Sequence, residues 1–231
     1  MKISQLTSAL LLISFTFLLV VSSCRPRTET VKVQFMHAAN HSGYVDYYLQ
    51  GSLRSSLIGV GGGSNSNTAD LEAGEPLVIE IKNPATGATL VSKSFADWKA
   101  GTHYSFVMYG DSGNLKSTLL SDTMAWPAAG RFKVRYSHFS ADAPTLDVFY
   151  NNDTVAFNKV YYGTDSTNAI GDFVDLPSGM YTVTVKDHNT GQTYIIQPNM
   201  GIQDNRILEI YSAGLIADSL TAFFRLGGIA H

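Results

Sequence analysis

The sequence predicts an all-β protein with two tandem immunoglobulin-like antiparallel β-sandwich domains after an N-terminal signal peptide. Three observations lead to this prediction. Beyond the first 24 residues, apolar side chains recur at every second position, several sequence features occur twice in the same order, and no segment shows the period of an amphipathic helix. Because strands with one apolar face need a second sheet to cover it, each repeat is expected to form a sandwich of about seven strands.

The N-terminal segment 1–23 is predicted to be a signal peptide of the lipoprotein type. Lys2 precedes an apolar run from Ala9 to Val21, which falls short of the roughly 18 residues that a membrane-spanning helix needs. Two serines then precede Cys24, the only cysteine of the chain. We expect cleavage before Cys24 and acylation of its thiol, with 24–30 as a lipidated tether. A plain cleaved signal with a coincidental cysteine is the alternative.

Acyl chains such as palmitate on Cys24 would make a membrane the first partner of the protein and would place it in the cell envelope. Arg25 follows the cysteine. In enteric-type lipoproteins an aspartate at this position favours retention in the inner membrane, so by this resemblance the outer membrane is expected. The sequence leaves open whether the protein faces the periplasm or the cell surface.

Composition excludes some classes of partner. The chain has 16 Lys and Arg against 19 Asp and Glu, a formal net charge of −3, and no basic stripe, so nucleic acid is not an expected partner. Twelve Tyr and twelve Phe provide large side chains for two cores. With a single cysteine no disulfide can form within the chain, and stability must come from packing.

Two copies of one domain are visible in the sequence. Val31–His37 and Phe132–His138 share the same alternation and both end in histidine, and Val45–Leu49 follows the first as Leu146–Tyr150 follows the second. Three later pairs keep the order: Leu71–Gly74 with Leu176–Gly179, Asn83–Gly87 with Asp187–Gly191, and Tyr109-Gly110 with Ala213-Gly214. The repeats are predicted over 31–124 and 131–231, with 125–130 as a Pro/Gly/Ala linker.

Each repeat is expected to consist of period-2 strands bounded by turn residues. In Phe132–His138 the apolar residues share one face, so Lys133, Arg135 and Ser137 are expected on the face away from the core. Further strands are predicted over Pro76–Ile81, Thr89–Ser94, His103–Tyr109, Tyr181–Lys186, Thr193–Gln197, Arg206–Tyr211 and Ser219–Arg225. The segments ending at Gly87 and Gly191 are predicted hairpin turns in which glycine takes a positive φ.

One segment carries a family resemblance. His138–Phe149 resembles the opening of the bacterial DUF 4397 domains, whose motif runs His-Ala-Ser-Pro-Asp-Ala-Pro and then Val-Asp-Val-Tyr. The first copy keeps His37 and Asp46, but Asn40–Gly43 replaces the proline-containing turn. The resemblance covers essentially the whole mature chain. It implies a secreted or lipid-anchored β-sandwich module and brings no established activity.

A histidine and an aspartate recur in both repeats: His37 with Asp46, and His138 with Asp147. Such a pair could supply an oriented base, and a hydrolase that uses His138 and Asp147 is the alternative function. A structural role is favoured, because strand parity places each histidine on the apolar face and because a pair present in both repeats suits a requirement of the fold. We therefore predict no catalytic residue.

Two short motifs resemble functional segments but lack their partners. Gly110-Asp111-Ser112-Gly113 resembles the nucleophile segment of chymotrypsin-like proteases, yet Asn114 replaces the next glycine, and a hairpin turn is predicted instead. The Gly61–Ser64 segment lacks the lysine and the helix of a phosphate loop and is interpreted as a flexible connection. No cofactor motif and no complete set of metal ligands is present, so neither a cofactor nor a metal is predicted.

Binding is predicted at the aromatic residues outside the strands: Trp98, Trp126, Tyr161 and Tyr162. Exposed rings stack on sugars or anchor a protein partner. They could equally close the ends of the sandwiches, and Trp126 is expected to be wedged between the domains. The predicted function is a non-catalytic binding or structural module for a polysaccharide or an envelope protein, acting through an exposed aromatic loop or an interdomain cleft. The oligomeric state is left open.

Overall fold

The computed structural model describes residues 28–122, 125–218 and 223–230, and these residues form sixteen strands and no helix. The first domain contains β1 (Thr28–His37), β2 (Val45–Leu49), β3 (Ser52–Ile58), β4 (Asn67–Glu72), β5 (Leu77–Lys82), β6 (Thr89–Phe95), β7 (His103–Asp111) and β8 (Asn114–Asp122). The second contains β9 (Arg131–His138), β10 (Leu146–Tyr150), β11 (Asp153–Lys159), β12 (Val174–Pro177), β13 (Gly179–Asp187), β14 (Thr193–Ile202), β15 (Arg206–Ala213) and β16 (Arg225–Ala230). Cys24 and the predicted signal peptide lie outside the described residues.

Each domain is a sandwich of two four-stranded sheets. In the first domain the strand orders are β4-β1-β7-β8 and β3-β2-β5-β6, and the second domain repeats them as β12-β9-β15-β16 and β11-β10-β13-β14. The predicted all-β class with two sandwiches is therefore confirmed. Each described sandwich has eight strands rather than about seven, and one pair in each, β1 with β7 and β9 with β15, is parallel.

The alternation in the sequence explains how the cores form. In β2 and β5 every second residue is buried, which gives each strand one face for the sandwich interior. Phe35 and Tyr47 come from opposite sheets and stack with their ring centroids 5.5 Å apart. The first strand begins at Thr28, three residues inside the segment predicted as a tether, because residues 28–30 pair with Asp70–Glu72 of β4.

The two predicted hairpin turns have the same geometry. Asn83 Oδ1 accepts hydrogen bonds from the N–H groups of the second and third residues after it, and Asp187 Oδ1 does the same in the second domain. Gly87 and Gly191 close these turns with φ values of 71° and 72°. The side-chain oxygen fixes the turn, and glycine tolerates the left-handed conformation, so these turn predictions are confirmed.

The two sandwiches pack through equivalent outer faces. The faces of β1 and β7 that point away from the first core meet those of β9 and β15, and the shared cluster contains Met36, Val107, Tyr109, Phe139, Tyr211 and Ala213, all buried. Arg135 and Ser137 are therefore buried. Their predicted place on the face away from the core is right, but that face is covered by the other domain.

A buried polar network crosses this interface. Glu209 is fully buried and accepts hydrogen bonds from Ser105 Oγ of the first domain at 2.7 Å and from Arg135 Nη2 at 2.6 Å. Gln34 Nε2 donates to the same serine at 2.8 Å. The Arg135 guanidinium also lies 4.6 Å from the centroid of the Phe173 ring. The ion pair is thus enclosed, and both oxygens of its carboxylate accept hydrogen bonds, as a buried charge requires.

The glycine-rich segment is part of the interface and is not a flexible connection. Gly62 O accepts hydrogen bonds from the His37 main chain at 2.9 Å and from Tyr211 OH of the second domain at 2.5 Å. A Cβ atom on Gly63 would lie 2.6 Å from the carbonyl oxygen of Phe35. The glycines are needed because two domains approach this backbone closely.

The end of the chain differs from the prediction. A strand was expected over Ser219–Arg225, but residues 219–222 lie outside the described part and Phe223 makes only an isolated bridge with Leu215. The last strand runs from Arg225 to Ala230 and pairs with β15. The hairpin turn predicted at Gly110–Gly113 is confirmed, because β7 ends at Asp111 and β8 begins at Asn114.

Candidate binding site at the domain boundary

A cleft of about 520 Å³ lies where the first domain meets the C-terminal strand of the second. Its lining includes the loop after β1, the loop after β3 and the first residue of β16; the residues are His41, Gly43, Tyr44, Gly59, Val60 and Arg225. A volume of this size is within the range of small-molecule sites. The cleft exists because the domains are held together, so neither repeat could form it alone.

His41 connects the two domains at one side of the cleft. Its Nδ1 lies 2.8 Å from Asp111 Oδ2 of the first domain, and its Nε2 lies 2.8 Å from Asp218 Oδ2 of the second. Hydrogen bonds to these two carboxylates raise the pKa of His41, and the bond to His41 lowers the pKa of Asp111. His41 also has a φ of 52°, so the loop has a left-handed conformation that is uncommon for residues other than glycine.

Arg225, the first residue of β16, lines the cleft from the second domain. Its Nη1 donates to Val60 O of the first domain at 3.2 Å, and its Nε donates to Phe223 O at the same distance. The guanidinium also covers the Phe223 ring, 3.8 Å from the centroid. Both hydrogen bonds use neutral main-chain acceptors, and among the described residues no carboxylate forms an ion pair with Arg225.

Tyr44 presents an aromatic surface in the cleft. Its side chain is 63% exposed, although tyrosine usually buries most of its ring. The ring lies against the backbone of Gly59, where an added Cβ would be 3.2 Å from Tyr44 Cε1. A ring fixed by backbone on one side and open on the other is suited to stacking on a flat ligand.

A second hollow continues from the cleft along the second domain. It is lined by Tyr194, Ile216, Asp218, Phe223 and Phe224, and its volume is about 500 Å³. Asp218 links the two hollows, because it both lines this one and bonds His41 of the cleft. Together the linings of the two hollows contain four aromatic side chains and the charged groups of Arg225 and Asp218.

None of these cleft residues was singled out as a binding residue from the sequence. Tyr44 and Arg225 are 181 positions apart in sequence numbering, and only the packing of the two domains brings them together. One signal was present: the Asn40–Gly43 segment, where the first repeat departs from the proline-containing turn of the second, contains His41.

The two tryptophans are placed differently from the expectation. Trp126, in the linker, is 58% exposed and is not buried between the domains. Side chains from the faces of the strands fill the interface instead. Trp98 is half-buried against the first core, and its Nε1–H donates to Glu75 O at 2.7 Å. It closes the end of the first sandwich, which is the alternative considered for these rings.

Tyr161 and Tyr162 lie in the interface rather than on a free surface. Tyr162 packs against Tyr109 and Phe139, with ring centroids 5.2 and 5.0 Å away, and its OH lies 2.9 Å from Thr118 Oγ1 of the first domain. Tyr161 contacts the His138 ring edge-on at 6.4 Å. Of the four aromatic residues predicted to bind, only Trp126 offers a largely exposed ring.

The recurrent histidines are buried and uncharged. His138 Nε2–H donates to Pro144 O at 3.0 Å, so its Nδ1 accepts from Ser212 Oγ at 2.9 Å. His37 is hydrogen-bonded through Nε2 to Ser42 Oγ at 2.9 Å. Burial lowers the pKa of each to about 4, because the charged imidazolium would lose its hydration. Each histidine fixes the loop that follows its strand.

The recurrent aspartates have a second, separate role. Asp46 Oδ1 accepts from the N–H of Leu57 at 3.0 Å, and Asp147 Oδ1 accepts from the N–H of Asn158 at 2.7 Å. Both donors have positive φ, 53° and 54°, at irregularities in the pairing of β3 and β11 with their neighbours. The repeated aspartate therefore stabilises a β-bulge in each domain.

The histidine and aspartate of each repeat do not form a dyad. Both ring nitrogens of His138 bond to other groups, and Asp147 is bonded by Asn158 and by His188, whose Nδ1 lies 3.1 Å from both carboxylate oxygens. The hydrolase hypothesis with His138 and Asp147 thus lacks its oriented base. The His188 contact was not expected from the sequence, and the first repeat has Pro84 at the corresponding turn position.

No group of three or more His, Cys, Asp or Glu side chains in 28–122, 125–218 and 223–230 is arranged to hold a metal ion. Within the same ranges no helix is long and apolar enough to span a bilayer.

Two solved β-structures show a weak similarity to this chain. A carbohydrate-binding module of family CBM26 from Eubacterium rectale Amy13K, solved with maltoheptaose, is 10% identical over 85% of this chain and 95% of its own, with a TM-score of 0.26. A putative cell adhesion protein from Bacteroides eggerthii is 8% identical over 89% and 96%, with a TM-score of 0.23. Similarity at this level carries no inference about function.

No curated protein matches the chain. The family model described as a domain of unknown function, DUF4397, matches twice, over residues 31–149 and 133–224. The first match runs past the linker into β9 and β10, and the second lies within the second sandwich. Together the matches span most of the chain, which therefore belongs to the DUF4397 family and contains two copies of its domain.

Proposed function

We propose that this protein is a lipid-anchored cell-envelope protein that binds polysaccharide, without catalysis, in the cleft between its two sandwiches. The observation that carries the proposal is the exposed Tyr44 ring beside His41 and Arg225 in a cleft built by both domains. His41 and Arg225 are each held by two hydrogen bonds, so these two side chains would lose little conformational freedom when a ligand binds.

A sugar fits the chemistry of this surface. The apolar face of a pyranose ring can cover the free side of Tyr44, while its hydroxyl groups reach charged hydrogen-bonding groups at Arg225 and Asp218. The neighbouring hollow with Tyr194 and Phe223 extends the surface beyond one sugar unit. A polymer would therefore contact both hollows.

Lipid anchoring at Cys24 is supported by the sequence pattern around it. A charged start, a short apolar run and two serines before the only cysteine are the elements of a lipoprotein signal. The first strand begins at Thr28, so a lipid on Cys24 would hold the first sandwich within about 14 Å of the membrane surface, even with the connection fully extended. We propose the outer membrane as its location.

Binding is tested with the mature chain, produced without its lipid, on an array of envelope and host polysaccharides. Tyr44→Ala is expected to weaken saturable binding at least tenfold, because it removes the stacking surface, while Tyr44→Phe keeps most of it. Trp126→Ala is the matched control, since its ring is similarly exposed but lies in the linker. Binding that is lost in Trp126→Ala and kept in Tyr44→Ala would contradict the proposed site.

Anchoring is tested separately in cells. Wild-type protein is expected to incorporate labelled palmitate and to fractionate with the outer membrane. Cys24→Ser is expected to remain unlabelled. Equal labelling of both proteins, or a soluble wild-type protein, would contradict the lipid anchor without bearing on the cleft.

A further inference from the structure

A second concave surface opens directly into the second sandwich. It is a groove of about 440 Å³ along the edge where β14 and β16 flank the two sheets. Its walls carry apolar side chains, and its floor is formed by core residues; those that matter here are Ile195, Met200 and Leu226 on the walls and Tyr150, Val183 and Ile210 on the floor. It shares only Arg225 with the cleft at the domain boundary.

Comparison of the two repeats shows why the groove exists in the second domain. In the first domain, Leu119 of β8 pairs with Phe106 of β7. At the equivalent position of the second domain, Gly228 of β16 pairs with Ile210 of β15. Leu119 packs against the first core. The glycine at this position of the second repeat provides no side chain to fill the space above Ile210, where the groove lies.

The space above Gly228 is sufficient for a side chain. A Cβ atom added there would lie 3.5 Å from Ile210 Cγ2 and 3.7 Å from Glu209 O, which are ordinary van der Waals distances. The backbone at Gly228 also has no positive φ that would require glycine. Neither backbone conformation nor a close approach therefore explains the residue, and the groove is its structural consequence.

The mouth of the groove carries one cation. Arg225 bonds only neutral carbonyl oxygens through Nε and Nη1, and no carboxylate among the described residues forms an ion pair with it. Gln197 is another polar side chain in the lining. An apolar groove with a positive charge at its mouth is complementary to a molecule with an aliphatic body and an anionic head.

We propose that this groove binds an aliphatic carboxylate, with the alkyl chain against Ile210 and Leu226 and the carboxylate at Arg225. The alkyl chain gains affinity because its methylene groups leave water and pack against the partly exposed walls of the groove. The carboxylate gains a charge-assisted hydrogen bond from a guanidinium whose position is already fixed by the carbonyl groups it contacts. This site shares Arg225 with the polysaccharide cleft proposed above, but the rest of its lining is different.

Calorimetric titration of the mature chain without its lipid, with octanoate, decanoate and dodecanoate below their micelle concentrations, tests the groove. Each added methylene that enters the groove is expected to tighten binding about fourfold, until the groove is full. Decyltrimethylammonium, with the same body and the opposite charge, is expected to bind at least tenfold more weakly than decanoate. Equal affinity of the two, or no carboxylate binding, would overturn the proposal.

A filling variant tests the location. Gly228→Leu restores the side chain that the first domain has at this position and is expected to reduce decanoate affinity at least tenfold while leaving the melting temperature unchanged or higher. Gly113→Leu is the matched control, because it adds the same side chain at an open hairpin tip. A folded Gly228→Leu protein that binds decanoate as wild type does would overturn the proposal.

Discussion

The buried ion pair between Arg135 and Glu209 gives the sharpest prediction about how the two sandwiches are joined. Glu209 has no exposed surface, and the side chain of Arg135 is 9% exposed. Arg135→Met removes the hydrogen bonds that Nε and Nη2 donate to Glu209 Oε1 and leaves a carboxylate buried without its cation. Breaking such a pair typically costs 3 to 5 kcal/mol, so we expect the free energy of unfolding to fall by about 4 kcal/mol.

Removing both charges should cost less than removing one. In Arg135→Met with Glu209→Leu no charge is buried, and replacement of a buried pair by apolar residues of similar volume is often close to neutral. The double variant is therefore expected to recover at least about 2 kcal/mol of the loss. Lys93→Met, an exposed position on β6, is the control and should change stability by about 0.5 kcal/mol or less.

Urea unfolding measures these differences with two signals. Circular dichroism follows both sandwiches. In a Trp126→Phe background, the fluorescence of Trp98, which packs against the first core, follows the first domain, whereas the substitutions lie in the second. Because Ser105 of the first domain bonds Glu209, Arg135→Met should lower both midpoints. A loss below about 1 kcal/mol, or a Trp98 midpoint that does not move, would refute the coupling of the domains through this pair.

Three further predictions concern single side chains. Asp147→Ala removes the acceptor that stabilises the bulge in β11 and should lower the free energy of unfolding by about 1 to 3 kcal/mol in urea, with Asp46→Ala behaving alike in β3. His138, with its pKa lowered to about 4, contributes stability that is complete above pH 6.5 and declines by about 3 kcal/mol as the pH falls towards 4, so melting curves of His138→Asn should depend less on pH in this window. His41 should titrate by NMR above its ordinary pKa and move back towards it in Asp218→Asn; its contribution is complete below pH 6.5 and is lost as the pH rises through the raised pKa, and an unchanged titration would contradict the bridge.

Local patterns in the sequence were sufficient to predict the sandwiches. Alternation in β1 and β9 identifies the core face, and the recurrence of the Asn83 and Asp187 turns fixes equivalent hairpins. These features depend on neighbours within a few residues, where the chemistry of each side chain decides the backbone conformation. The structural role predicted for His37 and His138 agrees with their buried positions, although each histidine bonds a partner other than the paired aspartate.

The domain interface and the cleft were not predictable in the same way. Alternation assigns Arg135 to the face away from the core, but it does not say whether water or another domain covers that face. Likewise Tyr44 and Arg225 become neighbours only through the packing of two domains. Trp126 was expected to be buried between the domains because it lies in the linker, yet its ring is exposed. Contacts between residues far apart in sequence depend on the tertiary arrangement, for which the chain has no local signal.

The most direct test of the binding account is to map the ligand on the protein. Amide chemical shifts of the ¹⁵N-labelled mature chain should be followed during titration with the polysaccharide that scores highest on the array. The account predicts that the largest changes cluster around His41, Tyr44 and Arg225, in both domains at once. Changes confined to Trp126 or to one domain, or saturable binding that Tyr44→Ala leaves intact, would contradict it.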